Sequence, residues 1–270
     1  MTRVINLRPS RRGRIVAGAV PILILIIVYA IAAALRHADN PADKVLPTIG
    51  AMGAALWRMG AQVDPVTGQI TLLADTLASL MRLGAGLALA TVTALVIGLL
   101  LGVMPLARAI LGPMITVIAV IPPIAVLPIL FIALGLGEAA KIALIAIGIA
   151  PYMTRDLASY VAGLPAEQFI KAETLGANSW QVAIRVALPQ LMPRLIETLR
   201  LSMGPAWVFL IAAEAIASDV GLGYRIFLVR RYLAMDIILP YVAWISLLAI
   251  VADTLLQAIS RRGFPWAATR

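Results

Sequence analysis

The sequence predicts an all-α polytopic membrane protein of about six transmembrane helices. Three observations predict it. Of 270 residues, 62% are hydrophobic and 13% are charged, against about 45–50% apolar and about 25% charged in a soluble domain. The mean hydropathy of +0.98 reflects apolar runs long enough for the ~20 residues a bilayer crossing needs. Positive charge also clusters at the two ends: Arg3, Arg8, Arg11, Arg12 and Arg14 precede the first run, and Arg261 and Arg262 follow the last. Under the positive-inside bias, both termini are then cytoplasmic.

The formal charge of +9 therefore reads as membrane topology, with lipid as the surroundings and no nucleic-acid partner. Cysteine is absent, which excludes disulfides, thiol catalysis and cysteine metal sites. His37 is the only histidine, so neither a metal site nor a catalytic residue is expected.

A tail at 1–14 leads into a first span at 15–35. A cleaved signal has an apolar region of about 7–15 residues; this run is longer and is followed by further spans. Residues 36–75 form an external loop of mixed charge, with a candidate surface helix at 46–59 weakened by Gly50 and Gly53, and a turn at Asp64-Pro65. The second span, 76–104, begins polar at Thr76, Ser79 and Arg82 and becomes rich in Gly, Ala and Thr, residues that allow close helix approach in lipid. Arg82 must snorkel outward or face protein.

The third span, 110–134, contains Pro122, Pro123 and Pro128. Prolines remove backbone donors and kink a helix, which in lipid fits either an interior cavity face or a packing kink. A turn at Gly135-Leu136-Gly137 precedes the fourth span, 139–161. The fifth span is 195–217, the outer loop 218–236 and the sixth span 237–259. Together 76–262 make a core of five spans, followed by a tail at 263–270.

The most polar internal stretch, 164–200, falls in the cytoplasm by span counting. Within it, 167–175 favours helix, and Gly176 with Asn178 and Ser179 supplies a stop and a new N-cap. A second short helix follows, with Pro189 ending it. A rigid helix pair between two spans fits docking into a partner's groove or an interfacial connector lying on lipid; the spacing leaves both open.

This loop resembles the cytoplasmic coupling loop of bacterial ABC importer permeases, whose pattern is Glu-Ala-Ala, three residues, Gly, nine residues, Ile, one residue, Leu-Pro. With Gly176 as the glycine, Ala172 falls on the second alanine, Ala177 follows the glycine, Val186 takes the isoleucine position, and Leu188 and Pro189 fall on Leu-Pro. Ile170 and Lys171 depart from the pattern at the glutamate and first alanine. Pro122-Pro123 with Leu127-Pro128, the 135–141 turn, Ala213-Glu214 and Gly221 to Tyr224 are similar to permeases of the nitrate, sulfonate and taurine importer family. The wording at 204–207 and 228–236 looks most like a branch associated with urea- or guanidine-utilising enzymes.

The resemblance implies a type I ABC importer permease fold in a bacterial cytoplasmic membrane, not an enzyme. It implies a second permease copy, two cytoplasmic ATPases on the 164–189 loops carrying ATP and Mg, and a periplasmic or lipid-anchored binding protein delivering a small polar solute. The chain agrees in lacking a phosphate-cradling Gly-x-x-x-x-Gly-Lys-Ser/Thr loop. Pro122, Pro123, Met203, Trp207 and Glu214 are the candidates for the path or gate. Glu214, near the outer end of its span, fits either the path or a structural pair with Arg82 or Lys141. A secondary transporter is the competing function; it would show inverted repeats with matching broken helices, which the sequence does not display.

Overall fold

A computed structural model describes residues 10–40, 43–65 and 67–267; the remaining residues of both expected tails lie outside it. Ten helices account for the architecture of the described residues. The first, α1 (Arg11–Asp39), is capped by Ser10, whose Oγ accepts from Gly13 N at 3.1 Å. It carries almost no buried surface within the protomer, as a helix solvated by lipid requires. α2 (Ile49–Ala61) starts at a Thr48 cap and packs against the helix that follows it and the last long helix of the chain. Between α1 and α2, the Val45 N–H and the Arg36 guanidinium hold the Asp43 carboxyl below its ordinary range.

α3 (Thr71–Val103) begins five residues before the expected second span. Asp75, the last residue of the expected loop, is buried with Thr76 in its first turns, because partners from distant helices satisfy them. The expected third span is two helices, α4 (Pro105–Val120) and α5 (Pro123–Leu134), whose axes differ by 96°. Pro122 and Pro123 have no N–H for the ladder, and proline is favoured at the first turn of a new helix. The chain breaks there, which a single kinked span would not require.

α6 (Glu138–Ala162) runs beside α3 in the same direction. Gly86 faces Ile145, Gly98 faces Leu157 and Gly102 faces Val161 in constant register. Parallel neighbours require the chain to cross back between them, so α4 and α5 together make one bent return. Five long helices plus this pair give six crossings. The glycines set the α3–α6 spacing: a Cβ on Gly86 would lie 2.7 Å from Ile145 Cβ, and one on Gly98 2.9 Å from Leu157 Cβ. Gly102 is tighter still against Val161. Gly102→Val is therefore expected to lower stability in detergent by about 1–3 kcal/mol through overpacking. Gly84→Val, where a Cβ meets open space, should stay near the parent in the same thermal unfolding measurement.

After α7 (Ala166–Thr174), one helix, α8 (Ser179–Ala217), extends for 39 residues. The sequence places a helix end at Pro189 and a fifth span from 195; the structure joins them. The ladder widens to a π-helix over Val182–Ala187, with Leu188 N donating to Ala183 O. A widened turn absorbs the donor that Pro189 lacks and its ring clash. The expected outer loop contains α9 (Leu222–Arg230), and α10 (Met235–Gly263) completes the bundle. The core lies where α3, α6 and α8 meet, around Ala90, Ala94, Ile149, Leu157, Leu191 and Leu210.

Candidate functional site

Two polar assemblies stand out, one at each end of the bundle. At the first, α7 ends in a turn built from backbone bonds. Gly176 N donates to Glu173 O at 2.8 Å and Ala177 N to Ala172 O at 3.0 Å, the paired bonds of a Schellman motif. Gly176 has φ +85°, which a side chain opposes. Asn178 then starts α8 with a capping box: Gln181 N donates to Asn178 Oδ1 at 2.8 Å, and Asn178 N to Gln181 Oε1 at 3.0 Å.

Ala172, Gly176 and Ala177 therefore act through their main chains to fix the angle between α7 and α8. Gln190 Nε2 ties the two helices, donating to Gln168 Oε1 at 2.7 Å and Val186 O at 2.9 Å. Val186 lies in the π-helix and Leu188 just after it, both half-buried, while Pro189 is exposed. Among the charged side chains the loop presents outward stand three large apolar ones: Ile170 is 60% exposed, Leu175 80% and Trp180 74%. Large apolar groups at a rigid helix corner suit a protein groove.

The second assembly joins α3, α6, α8 and α9 at the end of the bundle where α6 begins. Glu214, fully buried, accepts from Ser79 Oγ at 2.8 Å, Arg82 Nη1 at 2.6 Å and Gly223 N at 2.8 Å. Arg82 also donates to Glu138 from Nε at 2.5 Å and Nη2 at 2.8 Å, and to Val220 O at 2.7 Å. Lys141 donates to Glu138 Oε1 at 3.0 Å. Asp75, also fully buried, accepts from Gly221 N at 3.0 Å, Arg225 Nε at 2.8 Å and Tyr241 Oη at 3.1 Å. Leu222 N donates to Ser79 Oγ at 2.9 Å. The first N–H groups of α9 thus find acceptors on α3 and α8, which satisfies a helix start placed inside protein.

The family model of the binding-protein-dependent transport system inner membrane component matches residues 94–263. The chain belongs to this family. Among curated relatives, the taurine transport system permease protein TauC of Escherichia coli (strain K12) is 34% identical over 73% of this chain and 71% of its own. The putative aliphatic sulfonates transport permease protein SsuC of Bacillus subtilis (strain 168) is 27% identical over 70% of this chain and 68% of its own. The nitrate import permease protein NrtB of Leptolyngbya laminosa is 26% identical over 70% and 67%. Among solved structures, a chain of the inward-facing MetNI methionine ABC transporter matches with a TM-score of 0.64 at 20% identity, covering 77% of this chain and 100% of that one. That likeness establishes the fold. This protein is a membrane permease subunit of an ABC importer, a transport component that works with a separate ATPase and a solute-binding partner.

The permease does not bring its five sequence-derived path candidates together. Met203 and Trp207 are buried in the core of their own protomer, while Leu201, Gly204, Pro205 and Val208 form the exposed face of α8. Pro122 is exposed at the break between α4 and α5, and Pro123 is half-buried near Gly148. Glu214 is enclosed by its donors and pairs with Arg82; Lys141 pairs with Glu138 instead. Sequence reading passed over Asp75, Tyr241 and Arg225. Asp75, Ser79 and Arg82 at i, i+4 and i+7 share one face of α3, and that polar stripe in a span was the available signal. Near the loop end of α8 it also passed over Asp156, which binds Arg194 through Nε at 2.8 Å and Nη2 at 2.5 Å, and the Arg200–Asp253 pair.

Proposed function

We propose that two copies of this permease enclose a central path, that two ATPase subunits holding ATP and Mg grip the 164–189 loops, and that an external binding protein delivers a small polar solute. The observation that carries this reading is the loop: a Schellman turn and a capping box hold Ile170, Leu175 and Trp180 outward on a fixed helix corner. Charge supports the orientation. The loop end of the bundle carries Arg108, Lys171, Arg185, Arg194, Arg261 and Arg262, and positive residues favour the cytoplasm. Six crossings return both termini to that side. The solute class follows the relatives, whose names give taurine, aliphatic sulfonates and nitrate.

Coexpression of the permease with its ATPase tests the loop. Leu175→Asp combined with Trp180→Asp is expected to reduce recovered ATPase by at least about tenfold, because a tryptophan anchor buried in an interface is worth about 2–4 kcal/mol and a carboxylate at either position would be buried unpaired. Full recovery would remove the loop from the interface. Solute uptake that persisted without any ATPase would favour the secondary transporter instead.

A further inference from the structure

A groove of about 550 Å³ lies between α4 and α6, lined by Arg108, Thr116, Arg155, Ser159 and Gly163 among small and apolar residues. Its size is that of a small-ligand pocket, and its lining includes two guanidiniums and no carboxylate. Arg155 stands on α6 about 10 Å before the helix end at Ala162, exposed, and has no hydrogen bond or ion pair among the described residues. The adjacent Asp156 does not answer it. Consecutive helix residues face different ways, and Asp156 is occupied by Arg194 and Thr198 on α8.

Arg108 spends Nε and Nη2 on Leu101 O at 2.8 Å and Gly102 O at 2.5 Å at the end of α3. Those carbonyls hold the side chain in place without neutralising it. No side chain lining the groove supplies a counter-charge to Arg155, so water or an anion must solvate it there. One held guanidinium and one unpartnered one, with two hydroxyls at hand, match the oxygens of a small oxyanion.

We propose that the α4–α6 groove binds a small oxyanion through Arg155 and Arg108. Where that oxyanion is the transported solute, the proposal rests on the importer reading. The oxyanion belongs either to the solute or to an anionic lipid headgroup, which presents the same chemistry.

The chain has no cysteine, so Ser159→Cys places a single thiol in the groove of the full-length permease. In phosphatidylcholine nanodiscs, a sulfonate-bearing methanethiosulfonate should label it about tenfold faster than the trimethylammonium reagent, each normalised to a free thiol. Arg155→Gln should abolish the preference and Arg155→Lys retain it. Slowing by millimolar nitrate or methanesulfonate identifies the solute as occupant. Slowing only when phosphatidylglycerol is included identifies the headgroup. Either supports the oxyanion site. Equal rates for the two reagents, or a preference unchanged by Arg155→Gln, would overturn it. Thr116→Cys gives the same readout from α4 if Ser159→Cys does not assemble. Labelling needs neither ATP nor the binding protein, so a retained preference with no ATP-driven uptake would count against the importer reading and leave the site standing.

Discussion

Glu214→Ala is expected to destabilise the permease by about 3–5 kcal/mol, the cost of removing one partner from a buried ion pair. The carboxylate receives three donors, from Ser79, Arg82 and Gly223. Its loss leaves a nearly buried guanidinium balanced only by the exposed Glu138, and strands the Gly223 N–H inside protein. Glu214→Gln should recover little, because an amide must turn its NH₂ toward Arg82 or toward the Gly223 N–H and Ser79 hydroxyl. Removing both charges with Arg82→Met and Glu214→Leu should restore part of the loss, since the uncompensated charge goes with its partner.

Thermal unfolding and yield in mild detergent measure all three variants. If Glu214→Gln unfolds like the parent yet fails to transport, the residue belongs to the path and its structural role is secondary. The turn between α8 and α9 adds a constraint of its own. Gly221 has φ +139°, and a Cβ there would sit 2.5 Å from Glu214 Oε1. The carboxylate and the glycine therefore specify each other.

This knot shows where the sequence is legible and where it is not. Apolar runs locate spans because bilayer thickness fixes their length, so α1, α6 and α10 fall close to where the runs put them. The loop was legible for a different reason: a glycine stop, an Asn cap and a fixed spacing are local events, and the Schellman turn and capping box are made by the residues that announce them. The start of α3 was hidden because Asp75 reads as loop until Arg225 and Tyr241, 150 and 166 residues on, are seen to satisfy it. Pro189 read as a terminator because nothing local announces a π-helix that absorbs its missing donor. Met203 and Trp207, one helical turn apart, share a face of α8, but which face turns inward depends on packing against α3 and α6. For Glu214 the sequence offered two roles, and the ion pair with Arg82 is a contact across helices that spacing does not reveal.

Gly176→Val should sever transport from ATP hydrolysis while the membrane bundle melts as the parent does. A β-branched residue forced to φ +85° costs about 1–3 kcal/mol, and the turn is exposed, so the strain is relieved locally. Relief means breaking the Ala177–Ala172 and Gly176–Glu173 bonds, which leaves the Gln190–Gln168 bond to hold α7 against α8 and loosens the corner that presents Leu175 and Trp180. An ATPase that gripped this corner would then push on a hinge, and ATP-driven uptake should fall at least about tenfold, equivalent to about 1.4 kcal/mol. The order of substitutions separates a backbone requirement from a side-chain one. Asn tolerates the left-handed region better than Ala, and Ala better than Val, so coupling should decline in the order Gly, Asn, Ala, Val. ATPase turnover per recovered complex, compared with uptake, measures it. A Val variant that couples as well as Gly would mean that force enters the permease elsewhere, through the α8 register between Val182 and Pro189.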